Sequence, residues 1–443
     1  MSRKVGIISL GCPKNTVDTE NMLGRLVGEG YALTGDPEEA DVLVINTCGF
    51  IADAEAESRS NIAAMAEVRC AHPDKKLIVT GCLSQRYGDG LKADYPDVDL
   101  VVGSGQYDKI IPLLAHPAEA GDADLFAAPG QMSDHNAPRL LTTAEHTAYL
   151  KIAEGCNNTC AFCIIPQLRG RFRSRALDDL EAEARQLAEN GVKELVLVSQ
   201  DTTWYGRDLT PRADLAELLE RLAAIPQKPW IRMLYLYPTL INDRLLQTVA
   251  RHDNILPYFD IPLQHAHDAV LKRMGRAERS DGIRAMLDNI RATVPDAVIR
   301  TTFIVGFPGE SEAEFEFLAD FIEEAQFDWM GCFVYSDEPE APAYQLPGKV
   351  DREIALQRQG ALMERQMAIT AERLQSWVGR TIPVLVEGED EEDPDLLIGR
   401  GPGMAPEVDG TVLITGDDPL EEGQLIRVHI DEADAYDLVG HPV

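Results

Sequence analysis

Three cysteines lie close together in the middle of the chain, Cys156, Cys160 and Cys163, in the run Glu-Gly-Cys-Asn-Asn-Thr-Cys-Ala-Phe-Cys. The spacing is C-x3-C-x2-C, directly after an apolar stretch, Ala148-Tyr149-Leu150-Lys151-Ile152-Ala153. An iron–sulfur cube is normally held by four cysteine thiolates. Three thiolates on one short loop leave one iron without a protein ligand, so that iron is a place for chemistry rather than for electron storage alone. Zinc is the competing reading, but a structural zinc site takes a fourth protein ligand, and no Cys or His lies close after Cys163. Three further cysteines, Cys12, Cys48 and Cys82, are far apart in sequence yet equivalent in setting. Each follows a short apolar run and a Gly or small polar residue: Ser9-Leu10-Gly11, Val44-Ile45-Asn46-Thr47 and Ile78-Val79-Thr80-Gly81. Each therefore stands where a strand ends and a loop to a helix begins. In open parallel sheets ligands collect outside the carboxyl ends of the strands, so these thiols can converge on a second cluster, again with one iron open. The competing reading is three small buried residues. Cys70 and Cys332 are read as packing residues.

The elements that must position these groups follow from hydrophobic patterning. From Arg3 to about Leu114, strands at Val5–Leu10, Val42–Asn46, Leu77–Thr80 and Leu100–Val102 alternate with helices such as Thr16–Glu29 and Asp53–Arg69, which predicts a parallel α/β sheet. Residues 116–147, rich in Ala, Pro, Asp and Gly, read as a linker or loosely packed connection. From Ala148 to Ser336 six strand–helix units predict most of a (β/α) barrel. Its strands fall near Tyr149–Ala153, Glu194–Ser199, Ile231–Tyr235, Tyr258–Leu263, Val298–Val305 and Met330–Tyr335. One of its helices, Ala269–Val294, is expected to break near Gly275. Asp351–Trp377 reads as one long polar helix, and the short strands after Gly379 predict a small antiparallel barrel. The fold class is thus α/β: an N-terminal parallel sheet domain over 1–117, a linker over 118–144, a partial (β/α)6 barrel over 145–375 and a small β-barrel over 376–443.

Length and charge bound the function. A chain of 443 residues suggests about three domains at roughly 150 residues each. No apolar run reaches the ~18 residues of a membrane span, and the N-terminus has no signal-peptide layout, so a cytoplasmic protein with no membrane partner is expected. Eight cysteines in such a chain do not read as a disulfide framework; in a reducing compartment grouped cysteines more often bind metal or do chemistry. The net charge of −33 argues against direct nucleic-acid binding, which needs clustered Lys and Arg. It fits a basic partner or simple solubility.

The central spacing, with the barrel strands, resembles the radical S-adenosylmethionine superfamily. That resemblance implies an open iron that chelates the amino and carboxylate groups of S-adenosylmethionine, whose reductive cleavage yields a 5′-deoxyadenosyl radical. Candidate cofactor contacts follow: Phe162 against the adenine; Ser199, Gln200 or Asp201 after the second barrel strand; Gln264 and His265 after the fourth; Thr301 on the fifth; and Gly306 in the turn Gly306-Phe307-Pro308-Gly309-Glu310. All are placed at or near carboxyl strand ends, the catalytic side of such barrels. Arg169, Arg171, Arg173 and Arg175, two apart, would share one face if extended and would suit a carboxylate.

The whole chain resembles the methylthiotransferases of that superfamily, with a three-cysteine N-terminal domain, a radical core and a C-terminal barrel similar to a TRAM domain. The resemblance implies two 4Fe-4S clusters, with Cys156, Cys160 and Cys163 on the radical cluster. Cys12, Cys48 and Cys82 would hold an auxiliary cluster that carries the sulfur. It implies S-adenosylmethionine as methyl donor and radical source, an electron donor and a sulfur donor. The opening Ser9-Leu10-Gly11-Cys12-Pro13-Lys14-Asn15-Thr16-Val17-Asp18-Thr19-Glu20 resembles the RimO branch, and lacks the Gln-Met-Asn that typically follows this cysteine in the transfer-RNA branch. The implied substrate is the β-carbon of an aspartate in the basic ribosomal protein S-twelve, free or in the small subunit; the alternative is an adenosine of transfer RNA. Charge discriminates independently. Residues 376–443 hold 17 Asp plus Glu against 3 Arg and no Lys, net −14, with a dense run from Glu387 to Asp395. An RNA-gripping barrel needs the opposite sign, whereas a basic protein is complementary to it.

Overall fold

The computed structural model describes residues 2–115, 125–127, 132, 135–390, 396–416 and 419–443. Strands β1 (Lys4–Ser9), β2 (Ala32–Leu33), β3 (Val42–Thr47), β4 (Lys76–Gly81) and β5 (Leu100–Val101) form one parallel sheet in the order β2-β1-β3-β4-β5. Strand β3 is buried along its whole length, as a central strand covered on both faces must be. The helices Pro13–Gly28, Ala52–Ala71 and Cys82–Tyr87 leave the carboxyl ends of β1, β3 and β4.

The expected barrel is present as a parallel sheet of six strands. They are β6 (Thr147–Lys151), then, after the short antiparallel pair β7 (Ala153–Glu154) and β8 (Arg173–Ser174), β9 (Glu194–Val198), β10 (Trp230–Met233), β11 (Ile255–Gln264), β12 (Val298–Val305) and β13 (Trp329–Val334). The order is β13-β12-β11-β10-β9-β6, and among the described residues β6 and β13 do not pair, so the barrel is partial. Leu and Phe from strands and outer helices fill its main core. The helix expected over 269–294 is two, Asp268–Arg273 and Ser280–Thr293. The break has a steric reason: Gly275 has φ +72°, and a Cβ there would stand 2.7 Å from the Thr159 carbonyl oxygen. The broken helix thereby backs the cluster loop, with Ala161 N–H donating to the Met274 carbonyl at 2.7 Å.

After the helix Arg352–Gln375, strands β14 (Thr381–Glu389), β15 (Leu397–Arg400), β16 (Val412–Ile414), β17 (Leu425–Ala433) and β18 (Leu438–Pro442) close a barrel in the order β14-β15-β16-β18-β17. The barrel is not wholly antiparallel as expected: β16 and β18 run parallel. Strand directions can alternate around a closed ring only when the number of strands is even, so a ring of five needs a parallel neighbour.

The small barrel docks on the amino ends of the six-stranded sheet, and residues 401–409 between β15 and β16 insert there. Arg232 donates to the Pro402 carbonyl at 2.9 Å, and Trp329 Nε1–H to the Gly403 carbonyl at 2.8 Å. Tyr258 donates its hydroxyl to Asp409 at 2.5 Å, and Arg300 donates to the same carboxylate at 3.2 Å. Apolar packing of Tyr258, Val298 and Trp329 against Met404 and Ala405 completes the floor.

Two sequence expectations change. Part of the expected linker and of the acidic run, residues 116–124, 128–131, 133–134 and 391–395, lies outside the described residues. The described stretch from His135 on is not loosely packed. Arg139 pairs with the buried Glu20 at 2.6 Å and with Glu183 at 2.5 Å, because the segment runs between the N-terminal helix and the barrel. Cys332 is buried as expected, but Cys70, expected to be a packing residue, is exposed on the outer helix Ala52–Ala71. No helix among the described residues is long and apolar enough to cross a membrane.

Candidate active site

All six grouped cysteines line one cavity of about 350 Å³ at the carboxyl ends of both parallel sheets. Cys12 precedes the first residue of the helix Pro13–Gly28, and Cys82 opens the helix Cys82–Tyr87. Cys48 can approach Cys12 because residue 11 is glycine: with φ +95°, a Cβ there would fall 2.8 Å from the Cys48 Cβ and 3.1 Å from its Sγ. Cys156, Cys160 and Cys163 face them from the loop after β7. Among the described residues no three His, Cys, Asp or Glu side chains converge so as to hold one metal ion.

The thiols are set in donors suited to bound sulfur. Asn158 N–H points at Cys156 Sγ and Ile165 N–H at Cys163 Sγ, both at 3.4 Å. Arg169 Nε–H reaches Cys82 Sγ at 3.3 Å, and Arg276 reaches Cys160 Sγ at 3.9 Å. Burial pushes Cys82 and Cys156 up to about 11 and Cys163 up to about 12, and raises Cys48 and Cys160. At Cys12 burial acts the same way, but Lys14 and Arg169 outweigh it and the thiol lies below its ordinary value. Buried thiols that resist ionisation in isolation release their protons to a metal, so the donor set fits iron–sulfur ligation.

A buried ion network joins the two halves. Arg169 pairs with Asp18 at 2.7 Å and Glu154 at 3.3 Å and donates to Asn15 Oδ1. Lys151 pairs with Asp18 and, at 3.0 Å, with Glu154, whose other oxygen accepts from Gln200 at 2.8 Å. Burial alone would raise the Glu154 carboxyl; Lys151 and Arg169 overcome it and hold it well below the carboxylate range. The four arginines expected on one face are therefore separated. Only Arg173 lies in the strand β8. Arg169 ends the helix Ile165–Arg169, and Arg175 turns away to Asp179 and Glu183 at 2.7 and 2.6 Å.

Of the expected cofactor contacts, Phe162, Gln200 and Gln264 line the cavity. Gln264 reaches it through a register slip between Ile261 and Gln264 and a φ of +71°. Ser199, Thr301 and Gly306 do not line it. Ser199 is turned inward to Thr202 and the Asp201 N–H, and Thr301 donates to the Ile261 carbonyl at 2.9 Å. Gly306 N–H is held by Glu310, and a Cβ there would stand 2.5 Å from Ala355 Cβ, so that turn packs the long helix. Asp201 accepts from Asn158 at 2.8 Å behind the loop, and buried His265 pairs with Glu310 at 3.3 Å. Lys14, Tyr235, Tyr237 and Arg276 also line the cavity, and sequence reasoning gave them no role. Only Lys14 carried a signal, its place two residues after Cys12. Tyr235 has φ +61°, a strained conformation typical of functional sites.

Comparisons with known proteins agree with this architecture. Residues 4–103 match the family described as Uncharacterized protein family UPF0004, residues 150–322 the Radical SAM superfamily and residues 378–443 the TRAM domain. The fold is like that of the radical S-adenosylmethionine methyltransferase TsrM from Kitasatospora setae, with TM-score 0.57 at 12% identity over 83% of this chain and 89% of that one. It is also like the cobalamin-dependent S-adenosylmethionine radical enzyme OxsB, with TM-score 0.53 at 11% identity over 83% and 58%. Fold and site together define a radical S-adenosylmethionine enzyme. The chain is 45% identical to the ribosomal protein uS12 methylthiotransferase RimO of Clostridioides difficile over 99% of this chain and 98% of that protein. It is 44% identical to that of Pelotomaculum thermopropionicum over the full length of both. It belongs to the RimO family of uS12 methylthiotransferases.

Proposed function

We propose that this chain replaces a hydrogen on the β-carbon of an aspartate in ribosomal protein S12 with a methylthio group. Cys156, Cys160 and Cys163 hold the radical cluster; Cys12, Cys48 and Cys82 hold the auxiliary one. The observation that carries the reading is the meeting of both cysteine trios on one cavity. When bound, two 4Fe-4S clusters and S-adenosylmethionine supply the radical, the sulfur and the methyl group.

The chain's own residues bind, orient and exclude water. Amide N–H groups of Asn158 and Ile165 and the guanidinium groups of Arg169 and Arg276 stabilise thiolate sulfur. Phe162, Gln200 and Gln264 are the cofactor contacts that remain in place on the cavity wall; Ser199, Thr301 and Gly306 support the strand ends behind it. The units are 1–117, 145–375 and 376–443, joined through 118–144. The protein works in the cytoplasm on S12, free or in the small subunit, with an electron donor and a sulfur donor and without direct nucleic-acid binding. The C-terminal barrel, docked on the opposite end of the sheet, contributes substrate recognition through its acidity rather than through the cavity.

The test is to incubate reconstituted protein with S12 and, separately, with transfer RNA. The proposal expects a gain of about 46 Da on S12, one hydrogen exchanged for a methylthio group, and none on the RNA. The reverse outcome overturns it.

A further inference from the structure

Three positively charged side chains line the cavity: Lys14, Arg169 and Arg276. Arg169 is committed to Asp18, Glu154, Asn15 and Cys82. Arg276 is committed to Glu278 and the Pro262 carbonyl, both at 2.9 Å, and lies over the Tyr237 ring beside Cys160. Lys14 is different. It is 8% exposed, and its ammonium stands 3.8 Å from the centre of the Tyr235 ring. Among the described residues it meets no carboxylate and donates no hydrogen bond. The neighbouring Cys12 favours the charge, but burying an ammonium is costly unless it is also hydrogen-bonded, and a ring face satisfies only one side of a group with three N–H donors. The remaining donors are free for an anion that enters the cavity.

Resting on the reaction proposed above, we infer that Lys14 binds the side-chain carboxylate of the target aspartate and so selects that residue and sets its β-carbon. The substrate's own chemistry asks for such a group. The β-carbon is bonded directly to the carboxyl carbon, so it cannot reach sulfur inside the cavity unless the carboxylate enters too. A carboxylate leaving water needs a paired cation. Lys14 follows Cys12 by two residues, in the first turn of the helix Pro13–Gly28, on the side of the cavity where Cys12, Cys48 and Cys82 stand. The ammonium is held from behind. The Tyr235 backbone N–H is fixed by Asp260 at 2.9 Å, and Asp260 is in turn paired with Arg300 at 3.2 Å. Tyr235 thus forms a fixed platform under the cation.

The experiment is a double-substitution cycle on reconstituted full-length protein. Wild type, Lys14→Met and Lys14→Arg are each titrated with S12 carrying its target aspartate and with S12 carrying asparagine there. Iron and sulfide are counted in every sample, and KM and kcat are measured separately. Wild type is expected to bind the aspartate form roughly tenfold or more tighter than the asparagine form. Lys14→Met should erase that preference by weakening the aspartate form alone, and Lys14→Arg should keep most of it. If wild type shows no preference, or if Lys14→Met weakens both forms equally or neither, the ammonium only offsets cluster charge and the assignment is overturned. If wild type leaves S12 unmodified, the proposed reaction fails and takes this assignment with it; modification of S12 without the Lys14 dependence overturns the assignment alone.

Discussion

Arg169 touches both halves of the site: Asn15, Asp18 and Cys82 from the N-terminal domain, and Glu154 from the barrel. Removing one member of a buried ion network strands its partners, at a cost of about 3–5 kcal/mol. Arg169→Leu should therefore lower the unfolding free energy by that order, read as a lower denaturant midpoint, and loosen the N-terminal domain from the barrel, read as faster proteolysis between residues 135 and 147; an unchanged midpoint would show the network to be dispensable. At the cysteines the expectation is a division of labour. Cys160→Ala should abolish both S-adenosylmethionine cleavage and product. Cys48→Ala should stop sulfur insertion while 5′-deoxyadenosine still forms, and equal loss of cleavage in two folded variants would contradict the division. At this scale the sequence was most legible where chemistry dictates residue type. Cys12, Cys48 and Cys82 at their strand ends and Cys156, Cys160 and Cys163 on their loop line one cavity, and Gln200 and Gln264 reach its wall. Ser199, Thr301 and Gly306 do not, because a residue at a strand end can face inward to satisfy its own backbone. The partners of Arg169 lie at sequence separations of up to 154 residues, and no local pattern signals them.

Among the elements, the 401–409 segment has the largest unforeseen role. The alternation of strands and helices showed both parallel sheets, and Val298–Val305 was placed to the residue. A loop rich in Gly and Pro gives no sign that it will close the floor of another domain's barrel. Asp409→Ala should leave Tyr258 without its acceptor and Arg300 with Asp260 alone, and destabilise the protein by about 2–4 kcal/mol, measured as a lower melting temperature. Beside it, Glu194 sits between Arg400 at 2.5 Å and Arg232 at 2.7 Å. Burial alone would raise its carboxyl; the two guanidinium groups outweigh this and bring it from 4.5 to about 2. A depressed carboxyl stabilises the fold above its unfolded value and loses that contribution as pH falls through its folded value. Docking of the small barrel should therefore weaken between pH 4.5 and about 2. Glu194→Gln should remove that part of the acid sensitivity of the melting temperature; an unchanged acid profile would contradict the role given to the pair.

Across the whole molecule, the net charge of −33 and the −14 of residues 376–443 favour a basic partner by long-range attraction, which salt screens. Affinity for S12 should fall as ionic strength rises, chiefly through a slower association rate, while transfer RNA should show no binding at any salt; tight RNA binding at low salt would contradict the assignment of partner. The domain arrangement gives charge and chemistry separate places, the acidic barrel on the amino ends of the sheet and the cavity on the carboxyl ends. The proposed reaction requires two iron–sulfur cubes in that cavity. Counting iron, sulfide and zinc in anaerobically reconstituted protein tests this most directly. The proposed function predicts about eight irons per wild-type chain, and about four when either cysteine trio is replaced by alanine. About four irons in the wild type, or zinc in their place, would contradict it.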